Sequence, residues 1–200
     1  MGLTIFYSGQ LRSPQLQSSL IEEAIDLCDS LGWHYEPYPT MSNLPIEGIL
    51  LYPPQCEPVW LTFLPDGNLS NPQSYVFRNN PKTKKLPGDE TDRNSTITQW
   101  GGPEVHIALI NMLKYLTAKY FKHFNLIDES EYWETGNVEK CKDWFNMFAI
   151  WMKNMSVDLG ALDGRGHETG ENFQSRVEDL LNGGKSMMDI LNVMGDPYRK

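Results

Sequence analysis

The sequence predicts an α+β fold: a mainly antiparallel sheet of four or five strands, a buried central helix and a helical C-terminal third. Three observations carry this. Short β-branched and aromatic runs crowd the first half, separated by turn signals of the hairpin kind. A stripe of apolar residues from Leu16 to Leu31 places one helix after the first strand. Two longer stretches, 103–123 and 138–155, then repeat the helical spacing.

The elements follow in order. "LTIFY" at 3–7 is short, apolar and β-branched, as a buried strand requires. Ser13 and Pro14 form a helix start, with Ser13 as N-cap and Pro14 at the first helical position. Gly32 stands where a helix ends in a left-handed residue. "WHYEPYP" reads as a strand whose two prolines confine it to a sheet edge. "IEGILLYP" at 46–53 and "EPVWLTF" at 57–63 are further strands, and Asp66-Gly67 is a hairpin turn after the second. "SYVFR" at 74–78 is expected to add another strand. The stretch 79–96 is polar and charged with two prolines, so an exposed loop is expected there.

"GGP" starts the central helix, with Pro103 at its first position and Glu104 suited to the positive end of the dipole. Its last turn is expected to hold Lys119, Lys122 and His123. Asn137 can cap the next helix, whose apolar residues run from Val138 to Met155. Beyond a glycine-rich connection, 173–184 and 186–195 read as two short helices. The whole chain, 1–200, is expected to be one domain, with 157–200 as an appended helical segment.

Composition narrows the function. Six Trp, nine Tyr and eight Phe in 200 residues are too many for a disordered chain. Net charge is −9, from 26 acids against 17 bases, which disfavours a phosphate backbone as partner. The basic run "KTKK" at 82–85 is cancelled by "GDETD" at 88–92. No apolar run is long enough for a membrane span, and the N-terminus lacks the pattern of an export signal. Three cysteines without a C-x-x-C pair suit a reducing, cytoplasmic setting. No metal, nucleotide or nucleophile template is present, so no cofactor is expected. "GGKS" at 183–186 would need a glycine at 179 to be a phosphate loop, and 179 is Asp.

Candidate site residues come from two places. In "NLIDESEYWETGN", Asp128, Glu129, Glu131 and Glu134 surround Tyr132 and Trp133. This arrangement reads as acids looking outward from an aromatic-anchored bend at a helix start, with Asp128, Glu131, Trp133 and Glu134 as candidate partner-binding residues. In "TQWGGPEVH", Gln99 and His106 flank the start of the central helix. The reading is an acidic binding or regulatory protein with a basic protein partner, no nucleic acid and no membrane. A hydrolase using the acids at 128–134 with His106 is the alternative, and it requires those groups to meet. Oligomeric state is open.

Overall fold

The structure, a computed structural model, describes residues 3–38, 44–79 and 93–163, apart from the side chains at 74, 77–79 and 153–163. The chain divides into two compact units, Met1–Ile150 and Trp151–Lys200. The sheets and the site lie in the first. The short helices expected at 173–184 and 186–195, and most of the appended segment at 157–200, lie outside the described residues. So does 80–92 of the expected loop.

Strands and helices mix as an α+β fold requires; among the described residues the strands form two antiparallel sheets of three, where the sequence predicts one of four or five. The first sheet has β1 (Thr4–Leu11) between β5 (Asn94–Ile97) and β6 (Phe121–Asp128). The second is a meander of β2 (His34–Tyr38), β3 (Glu47–Tyr52) and β4 (Val59–Phe63). Pro37 sits in β2 opposite Ile49, and β2 is an edge strand of its sheet, the place where proline is tolerated. β5 also takes three residues, 94–96, out of the expected 79–96 loop.

The sheets meet through side chains. Tyr7 is fully buried in mid-β1, and its hydroxyl accepts the Trp60 N–H of β4 at 2.8 Å. Thr96 donates to the Pro58 carbonyl at 3.1 Å and Asn94 to the Trp60 carbonyl at 3.4 Å. Burial pushes the Tyr7 phenol up to about 12, so it stays neutral and keeps its proton. Tyr7→Phe should cost about 1–3 kcal/mol, because it strips an interior N–H of its acceptor without changing ring packing. Urea unfolding of the variant measures this.

Two helices cover the core. α1 (Gln17–Leu31) turns Leu20, Ala24 and Cys28 inward at four-residue spacing and ends at Gly32 with φ +66. α3 (Gly102–Tyr120) buries Leu109, Ile110, Leu113 and Leu116. Glu23 of α1 binds Lys119 of α3 at 2.8 Å and accepts from the Tyr115 and Tyr120 hydroxyls; Lys119 foremost, then the two hydroxyls, bring its carboxyl down to about 2.

Two expectations are corrected. "SYVFR" lies in a helix, α2 (Pro72–Asn79), not a strand. Asn71 and Pro72 are a helix start, and the Tyr75 N–H already bonds the Asn71 carbonyl at 3.0 Å. The Asp66-Gly67 turn does form, with Gly67 at φ +80, but its return arm stops after Leu69 bridges Phe63. Second, α3 ends at Tyr120, and Lys122 and His123 belong to β6. No glycine marks this end. Arg12 satisfies its carbonyls instead: its backbone N–H bonds the Tyr120 oxygen at 2.9 Å, and its guanidinium bonds Ala118 at 2.8 Å and Phe121 at 3.1 Å.

Candidate functional site

Four elements bring polar side chains together beneath the start of α3. Thr98 follows β5. His106 lies on the first turns of α3. Asp128 closes β6, and Ser130 lies in the turn after it. Glu131 takes φ +59 there, and the chain reverses into α4 (Tyr132–Thr135). Thr98 and His106 are 0 % exposed, Ser130 1 % and Asp128 4 %, so the cluster is sealed from solvent.

Asp128 organises it. Its Oδ1 accepts the Ser130 N–H at 2.8 Å, and its Oδ2 accepts the Trp133 N–H at 2.9 Å and the Ser130 hydroxyl at 3.0 Å. His106 Nε2 stands 3.2 Å from Oδ1 and 2.9 Å from Ser130 Oγ. Burial alone would raise the Asp128 carboxyl. The His106 ring and the Trp133 and Ser130 N–H groups outweigh it, so the carboxyl is held below its usual range. On the far side of the ring, Nδ1 lies 2.7 Å from Thr98 Oγ1. Phe145 of α5 (Val138–Asp163) closes over the imidazole edge-on, with ring centres 5.4 Å apart. Cys141 of the same helix is buried beside Ser130, and burial raises its thiol.

Hydrogen-bond balance decides what this cluster can do. A carboxylate faces Nε2 and takes the Ser130 hydroxyl proton, so Nε2 carries a hydrogen and donates. It has no lone pair with which to activate Ser130. A Ser-His-Asp triad sets serine and acid on opposite ring nitrogens. Here Ser130 and Asp128 share Nε2, and Thr98 occupies Nδ1. The arrangement ties β5, α3, β6 and α4 together with its donors satisfied.

The predicted residues divide accordingly. His106 and Asp128 meet, and Trp133 joins them through its backbone N–H. The Trp133 ring packs on Phe124 at 5.8 Å, and the Lys114 ammonium lies 5.6 Å from its centre. The expectation of outward-looking acids fails at Asp128, which points into the core. Glu131 is outside the cluster, paired with Lys140. Glu129 accepts the Thr4 N–H at 2.8 Å, and Glu134 is exposed. Gln99 lies in the turn before α3, its Oε1 buried and without a hydrogen-bond partner among the described residues. Sequence reasoning missed Ser130 and Thr98. The signal for Ser130 was present: Asp-x-Ser after a strand is the pattern in which an aspartate bonds the N–H two residues on.

Comparison with known proteins finds no match, whether to a family model, to a curated protein or to a solved structure. Among the described residues no group of three or more His, Cys, Asp or Glu side chains could hold a metal ion. No helix among them is long and apolar enough to cross a membrane.

Proposed function

We propose that the chain is a non-catalytic recognition protein for a basic protein segment, acting in a reducing, cytoplasmic setting. One contrast supports this reading. The cluster able to do chemistry is sealed and internally satisfied, while Trp100, beside it in sequence, is 56 % exposed. The turn beneath that indole is firm. The Gly101 N–H bonds the Thr98 carbonyl at 3.0 Å, and Gly101 packs so closely that an added Cβ would lie 2.6 Å from Cys56 Sγ. Phe148 braces the indole edge-on at 6.2 Å. A rigid exposed tryptophan is the residue type that dominates protein contacts. Glu104 on the next turn and the net charge of −9 favour a basic partner. Free thiols at Cys28, Cys56 and Cys141 fit a reducing compartment.

The test is titration with an oligo-arginine peptide at low salt, followed by NMR. The Trp100 indole signal should move, affinity should fall as salt is added, and Trp100→Ser should weaken binding by about tenfold or more. Absence of binding at low salt overturns the reading, and binding that leaves Trp100 unmoved overturns the surface.

The hydrolase alternative keeps two observations, the 3.2 Å approach of Asp128 to His106, which it required, and the 2.9 Å approach of Ser130 to the same nitrogen. It needs the cluster to open and Nε2 to lose its hydrogen. A thermal-shift screen with divalent metals and phosphates separates the two, since a ligand at 100 times its dissociation constant adds about 2.7 kcal/mol.

A further inference from the structure

One hydroxyl in the buried cluster has two places to direct its proton. Thr98 Oγ1 lies 2.7 Å from His106 Nδ1 and 3.1 Å from the Leu3 carbonyl oxygen. When Nδ1 is bare, the hydroxyl donates to it. When Nδ1 carries a hydrogen, the ring donates to Thr98 and the hydroxyl turns to Leu3. The Leu3 oxygen can take this second bond. It accepts the Thr98 N–H at 2.9 Å, and a carbonyl has two lone pairs. Across the ring, the Asp128 carboxylate stands 3.2 Å from Nε2 as a counter-charge already in place. Neither ring state leaves a buried donor without an acceptor.

We propose that Thr98, His106, Asp128 and Ser130 form a buried proton-binding site. It takes up one proton at His106 Nδ1, and reversal of the Thr98 hydroxyl from the ring to the Leu3 carbonyl accommodates it. Proton uptake then ties the base of the Trp100 turn to Leu3, the residue before β1, by two bonds in place of one. The device stands independently of the partner proposed above. The titratable groups around it are few. Asp128 faces the ring from β6, and the Cys141 thiol lies behind Ser130 from α5. Glu104 is on the same helix, one half-turn earlier, and Leu3 before β1 and Thr98 after β5 carry no charge.

The test uses the full chain with labelled imidazole rings, followed by NMR between about pH 5 and pH 8. The His106 ring signals should change with pH while the Leu3, Thr98 and Asp128 amide signals stay those of the folded protein. Thr98→Val keeps the shape and removes the rotor. The protonated Nδ1 then lacks its acceptor, so the ring transition should move to about tenfold higher proton concentration, the effect of one lost hydrogen bond. Thr98→Ser should restore the wild-type profile. His106 signals that stay constant across the range overturn the proposal. So does a transition that coincides with unfolding, or a Thr98→Val profile identical to wild type. If the valine variant does not fold, the wild-type titration and the serine variant decide.

Discussion

Asp128→Ala should lower the stability of the fold by about 3–5 kcal/mol, the range for breaking a buried pair by removing one partner. Four donors converge on that carboxylate: two backbone N–H groups, the Ser130 hydroxyl and the His106 ring. Each buried donor left without an acceptor costs about 1–3 kcal/mol, and water entering the vacated space recovers part of the sum. Asp128→Asn keeps one acceptor oxygen and should fall between alanine and wild type. The pH dependence has a definite sign. The folded carboxyl lies below its ordinary value, so its contribution is complete above the unfolded value, about 3.9. It is lost as pH falls through the folded value. Urea midpoints measured from neutral pH downward should show that acid limb shrinking in the alanine variant. An alanine variant as stable as wild type would mean that the cluster does not hold these elements together.

Gly48→Ala should cost about 4 kcal/mol and disturb the second sheet as a whole. Gly48 has φ +157, and a Cβ built there would lie 2.2 Å from the Leu61 carbonyl oxygen and 2.6 Å from the Thr62 Cα. Both are backbone atoms of the neighbouring strand, so no rotamer change relieves the clash. The pairing of Gly48 with Thr62 must open, and Thr62 is fully buried with its hydroxyl donating to the Ser70 carbonyl at 2.6 Å. Steric overpacking contributes about 1–3 kcal/mol and the disfavoured φ a similar amount. Thermal unfolding gives the size of the loss. Amide signals of β2, β3 and β4 should shift together, while β1 and β6 change little.

What the sequence could reveal was local. The apolar stripe of α1 and its closing Gly32, the edge character of β2, and the Asn137 cap on α5, where Oδ1 accepts the Lys140 N–H at 3.0 Å, are all decided within a few residues. What it hid was decided at a distance. The end of α3 depends on Arg12, more than a hundred residues earlier. The joining of the two sheets depends on the Tyr7 hydroxyl meeting Trp60. The inward turn of Asp128 depends on His106, 22 residues away on another element, and on a left-handed Glu131 that no glycine announced. "SYVFR" is a different failure. Its residue types suit a strand, and the preceding Asn-Pro pair overrode them by starting a helix.

The passage from α3 into β6 without an intervening loop has a mechanical consequence. Tyr120 closes the helix and Phe121 opens the strand, with Arg12 clamped across the seam. No slack residue lies between them. A push along the helix axis at the Trp100 end would therefore reach β6 as a change of register against β1, not be absorbed on the way.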